Sequence, residues 1–155
     1  MAHKLLVLEW LYKAEQDFGF AKVNLEEEWE YFDQICLFFH QAAEKFLKAY
    51  IVKFGLRFEK QHDLLKLLKT CSHYDPSFKK LQEDCRFLNP FYIEIRYPDV
   101  TFVSCTQGQA KEAYSRAKKI RDFVKKKLGV TREITLEELK KENERIDRIL
   151  RKREA

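Results

Sequence analysis

Only four glycines and three prolines punctuate the 155 residues. Breakers this sparse do not suit an architecture of many short strands joined by tight turns. No GxxxxGK[ST] loop, GxSxG elbow or HExxH pair occurs. The chain therefore has no motif for P-loop, hydrolase-triad or zincin chemistry. The four cysteines (Cys36, Cys71, Cys85, Cys105) form no CxxC pair and no Cys/His ligand spacing. Buried, reduced thiols are expected, with no metal site and no cofactor. Every apolar run is too short and too interrupted by charge to cross a bilayer. The opening MAHKLLVLEW lacks a sustained apolar core followed by a cleavage site, so cytoplasmic residence is the expectation.

What is abundant is apolar, aromatic and helix-forming. Hydrophobic residues make up 45% of the chain, with 13 Phe and 7 Tyr, enough for one domain with a real core. The stretch Tyr31 to Phe54 organises the rest. Phe32, Ile35, Cys36, Phe39, Ala43, Phe46, Leu47, Tyr50 and Phe54 draw one helical stripe at three- and four-residue steps. Leu37, Phe38, Ala42, Ala49, Ile51 and Val52 cover much of the other side. A helix apolar over most of its circumference must be surrounded by other helices. His40, Gln41, Glu44, Lys45 and Lys48 alone interrupt it, and Glu44 and Lys48 have the favourable i,i+4 order for an ion pair.

Helix one is predicted from about Lys4 to Val23, with Leu6, Trp10, Ala14, Phe18 and Ala21 on one face. An acidic block (Glu26, Glu27, Glu28, Glu30, Asp33) leads into the central helix, which closes near Gly55. A third helix opens at Lys60-Gln61-His62-Asp63. A fourth opens at Asp75-Pro76 and carries Phe78, Leu81, Cys85 and Leu88. Asn89-Pro90 disturbs the pattern, Arg96-Tyr97-Pro98-Asp99 must turn, and an irregular loop runs through Ser104. Thr106 and Gln109 have capping-box spacing before a helix whose stripe runs from Ala110 to Leu128. That segment holds eight basic residues against Glu112 and Asp122, which is either a phosphate-binding face or a solvated one. Thr135 and Glu138 form a second capping-box pattern before a last helix reaching roughly Arg151. There Leu136, Leu139, Ile146 and Leu150 occupy a/d spacing with Asn143 at an a position, fitting a short coiled-coil pair or an arm lying on its own bundle. The expected division is a bundle over residues 1–130 and an amphipathic arm over 131–155.

Four local patterns resemble the prokaryotic HEPN domain family: Trp10, Ala14, Asp17 and Ala21 in helix one; CLFFHQAAEKFLKAYI in the centre; QHDLLKLL at 61–68; and YIEIRYPD at 92–99. The match covers roughly residues 5 to 128. The resemblance implies an all-α, up-and-down four-helix bundle with a short extra helix, similar to the C-terminal substrate-binding domain of kanamycin nucleotidyltransferase. It also implies a nucleotide-binding or partner module acting with a separately encoded minimal nucleotidyltransferase, in a toxin–antitoxin type of pair, and a homodimer as the first expectation.

Many relatives are metal-independent ribonucleases using an Arg and a His four to six residues apart, joined across a dimer. Here Thr101, Phe102 and Val103 stand where that His would follow Arg96, and none can replace an imidazole in acid/base work. Whether the chain is an enzyme is left open by that departure. Arg57 and His62 have the literal spacing but straddle a different loop. Arg96 is the leading ligand-binding candidate, for phosphate or carboxylate, with Glu94 or Asp99 as its alternative ion-pair partners. Tyr97 either stacks on a base or packs on the bundle, and Lys45 either lines a groove with Arg96 or pairs locally. For a displaced ribonuclease site acting on RNA, Arg96 joins His62, His40 or Tyr97 contributed across a dimer; a purely structural partner that assembles through the terminal helix is the remaining alternative.

Overall fold

The computed structural model describes residues 2–57, 60–92 and 104–155. Among them there is no strand. The helices are α1 (Ala2–Glu26), α2 (Phe32–Lys53), α3 (Leu64–Tyr74), a 3₁₀ helix (Pro76–Leu81), α4 (Gln82–Leu88), α5 (Gln107–Leu128) and α6 (Leu136–Glu154). Residues 90–92 are helical as well. Glu94, Arg96, Tyr97 and Asp99, with positions 101–103, lie outside the described residues.

The central helix is where its two-sided apolar pattern puts it. Phe39, Ala43, Phe46 and Leu47 on one side, and Ala42, Ala49 and Ile51 on the other, are buried. α2 packs on α1, α3, α4 and α5. Contacts fix the directions. Trp10 lies by Lys48 and Phe18 by Phe39, so α1 and α2 are antiparallel. Asp33 meets Cys105 and Phe39 meets Tyr114, so α2 and α5 run the same way. Phe78 meets Phe123 and Asp84 meets Arg116, so the 3₁₀–α4 unit opposes α5. The result is an all-α up-and-down bundle of α1, α2, the 3₁₀–α4 unit and α5, with α3 as the short extra helix.

Local chemistry explains most boundaries. Asp63 caps α3 by accepting from the Leu65 and Lys66 amides, and Asp75 caps the 3₁₀ helix through Ser77. The Thr106–Gln109 capping box is complete, and Gly129 closes α5 at φ 68°, a conformation that favours glycine. Three details differ from expectation. α1 runs to Glu26 because Leu25 still packs on the core and the Asn24 side chain donates to the Phe20 carbonyl. The fourth helix starts as 3₁₀ at Pro76 and becomes α only at Gln82. At α6 the Thr135 hydroxyl accepts from the Glu138 amide, while the Glu138 carboxylate turns to Arg132, leaving half a box.

The tail lies on α1. Leu139 packs on the core, and buried Glu142 faces Lys4 at 3.6 Å and Arg145 at 2.6 Å. Its a/d set is thereby divided, since Leu136, Asn143 and Leu150 face outward. All four cysteines are buried and unpaired, and burial pushes the Cys71 thiol up to about 12, which suppresses thiolate reactivity. No helix among the described residues is long and apolar enough to cross a membrane.

Candidate functional site

The five polar residues that interrupt α2 are the starting point, because a surrounded helix must give each of them a partner or leave its burial uncompensated. Glu44 and Lys48, both buried, form the expected i,i+4 pair at 3.1 Å. The Lys48 ammonium also lies 5.4 Å from the Trp10 ring centroid, a cation–π distance. One turn away, Lys45 is salt-bridged to Asp17 of α1. Burial lifts the Asp17 carboxyl above its ordinary range even with Lys45 beside it. These contacts account for the spacing Trp10, Ala14, Asp17, Ala21. The two alanines are fully buried and let α1 approach, while Trp10 and Asp17 meet the two lysines of α2.

The linker after α2 returns past the same strip. His62 Nδ1 lies 2.8 Å from Glu44 Oε1. A carboxylate only accepts, so the proton of this bond sits on Nδ1 and the Nε2 edge is left for other partners. The His62 side chain is 52% exposed although its carboxylate partner is buried. Tyr92 stacks on His62 with centroids 4.4 Å apart and planes at 16°, and contacts His40 at 5.6 Å and 29°. Three rings thus run from the core (His40) to the surface (His62).

Asn89 ties the ends of this region together. Its side-chain oxygen accepts from the Leu64 amide at 2.8 Å, and its nitrogen donates to Asp63 at 3.1 Å. Between these groups is a cleft of about 310 Å³ lined by Lys60, Gln61, His62, Asp63, Asn89 and Tyr92. Its size is at the lower end of small-molecule sites. Tyr92 stands four positions before Arg96 in the chain.

His40 is fully buried, and among the described residues neither ring nitrogen has a partner within hydrogen-bonding geometry. Burial lowers its pKa from 6.5 to about 4; the nearby Glu44 carboxylate and His62 backbone oppose this and are outweighed. Among the described residues no group of three or more His, Cys, Asp or Glu can hold a metal ion.

The structure brings His62 and His40 together through Tyr92. Lys45 is committed to Asp17 rather than to the cleft. Arg57 opens onto a different hollow, with His73 and Tyr74, apart from His62. The basic face of α5 is largely matched by acids. Arg121 and Lys125 meet Glu15, Arg116 and Lys119 meet Asp84, Lys118 meets Asp122, and Lys127 meets Asp75. That pairing favours the structural reading of α5 over a phosphate track. Asn89 and Tyr92 carried no functional signal in the sequence beyond a pattern break and the first letter of a quoted motif.

Glu44→Ala is expected to destabilise the protein by about 3 kcal/mol, because it removes the carboxylate facing a buried ammonium and an imidazole together. Urea unfolding of Glu44→Ala, Lys48→Met and the double variant measures the coupling. Additive losses would show that the pair does not act as a unit.

The HEPN domain model matches residues 7–127. Two solved structures are similar. The crystal structure of TT1696 from Thermus thermophilus is 28% identical, with a TM-score of 0.69, covering 78% of this chain and 97% of its own. ST0689, described as an archaeal HEPN homologue, is 26% identical, with a TM-score of 0.63, covering 78% of this chain and 96% of its own. No curated protein matches.

Proposed function

This chain belongs to the HEPN domain family, and on that premise we propose that it is a binding module for a nucleotide, working with a separately encoded minimal nucleotidyltransferase. The observation that carries the reading is the cleft beside His62 and Tyr92. It offers an exposed imidazole face, a lysine, and amide and carboxylate groups for hydrogen bonding within about 310 Å³. Stacking on a ring suits a nucleobase, and Lys60 and the His62 Nε2 edge suit a phosphate or ribose. Arg96, close by in sequence, is the proposed phosphate ligand, and Tyr97, Glu94 and Asp99 are further proposed ligand-binding residues. Calorimetric titration with a nucleoside monophosphate and triphosphate tests the reading. Wild type is expected to bind, with Tyr92→Ala, His62→Ala and Arg96→Ala each about tenfold weaker, since one base stack is worth roughly 1–3 kcal/mol. No binding by the wild type, or equal binding by all three variants, overturns it.

One observation favours a second reading, a metal-independent ribonuclease. The His62–Glu44 bond is the arrangement of a general base oriented by a carboxylate. In that case RNA cleavage persists with a chelator present and falls at least about a hundredfold in His62→Ala. Cleavage indifferent to His62 and Arg96 rules it out.

A further inference from the structure

A second cavity, at the end of the bundle where α1 begins and α2 and α5 finish, has a different chemistry. It measures about 330 Å³. Its floor is apolar: Val7 and Leu8 of α1 are buried in the core, and Leu128 and Val130 pack partly against it. Its rim is basic, with His3, Lys4, Lys53 and Arg132 and no acidic residue among the described ones.

The charges around that rim are not balanced. Lys4 shares Glu142 with Arg145, at 3.6 and 2.6 Å, and Arg132 is held by Glu138. Lys53 and His3 have no acidic partner in the structure's ion pairs among the described residues. The first turn of α1 likewise holds no acidic side chain, although the positive end of a helix dipole favours one. Like charges gathered over an apolar floor repel one another, and an anion bound between them relieves the repulsion. A ligand that was only anionic would leave the floor in water, and one that was only apolar would leave the rim unmatched.

We propose that this cavity binds a small amphiphilic anion, an apolar chain or ring ending in a carboxylate, with the apolar body on Val7, Leu8, Leu128 and Val130 and the carboxylate between Lys53 and His3. At about 30 Å³ for each small group, the cavity takes on the order of ten non-hydrogen atoms, which matches octanoate. The site is separate from the cleft at His62 and does not depend on its function.

Octanoate is therefore the probe, titrated into the whole protein by calorimetry and by amide chemical shifts, with 1-octanol and octylamine as controls of equal length. The expected result is saturable binding at one site, at least tenfold weaker for 1-octanol and absent for octylamine. Lys53→Glu is expected to weaken octanoate at least tenfold, and Val130→Trp, which fills the cavity from its apolar floor, to abolish binding. Shifts are expected at Val7, Leu8, Lys53 and Leu128. Equal binding of octanoate and 1-octanol, shifts elsewhere, no saturable binding, or a Lys53→Glu variant that binds as the wild type does would each overturn the proposal. Lys53 is exposed at the end of α2, so its variant tests the charge without disturbing the core.

Discussion

Lowering the pH from 7 to 4 is expected to remove about 3 kcal/mol of stability through His40 alone. The sign follows from the two states. In the unfolded chain an imidazole takes up a proton near 6.5, while the buried His40 resists protonation until about 4. Between those values the unfolded state binds the proton and the folded state does not. Stability is therefore fully present above about 6.5 and drains away as pH falls towards 4. The groups facing His40 are Glu44 on its own helix, His62 and Asp63 from the linker before α3, and the Tyr92 ring. The carboxylates oppose the shift and the His62 charge adds to it, but desolvation is the largest cause. Urea unfolding of the wild type and His40→Leu at about pH 7 and about pH 4.5 isolates the contribution. His40→Leu is expected to be at least as stable at neutral pH, since it removes two buried nitrogens that have no partner among the described residues. It is also expected to lose much less on acidification. Parallel losses in the two proteins would show that His40 is not the group responsible.

Phe39→Ala is expected to cost about 4 kcal/mol, which is a large part of a typical domain's total stability. Phe39 is fully buried and sits where three helices meet. Its ring lies 5.6 Å from Phe18 of α1 and 5.8 Å from Tyr114 of α5, and those two are 5.7 Å apart. Deleting it removes one corner of that triangle from the middle of the core, and the packed helices around it cannot collapse to refill the space. With a urea dependence of about 2 kcal/mol per molar, the midpoint falls by roughly 2 M. Phe20→Ala is the internal comparison. Its ring touches Phe38 at 4.9 Å but is 53% exposed, and its loss is expected to stay near about 1 kcal/mol. A Phe39→Ala loss no greater than that of Phe20→Ala would place the core elsewhere.

The fold was legible because its signals are local or periodic. Sparse breakers, a surrounded central stripe, Asp75 and Thr106 as caps and Gly129 as a stop each act within a few residues of where they stand. The Glu44–Lys48 pair was legible for the same reason, since both ends lie on one helix. The α5 cations were not. Eight basic residues in one segment fit a phosphate-binding face and a solvated one alike, and their pairing shows only once Glu15, Asp75 and Asp84 arrive from elsewhere in the chain to meet them.

The candidate site was legible only in its parts. His62 and His40 stood out as imidazoles, but nothing in their spacing joins them. Tyr92 does so, from a segment that follows α4, and Asn89 clamps the start of α3 to the end of α4 from 25 residues away. Such contacts depend on how the chain returns on itself.

The amino-acid order by itself determined which segments are helical, where most of them stop, and that one helix must be enclosed by the others, because propensity, capping and burial pattern act over short distances along the chain. Only the tertiary structure decided which charges cancel, which histidine is stranded in the core, and where clefts remain, because those outcomes require residues far apart in sequence to arrive at the same point in space.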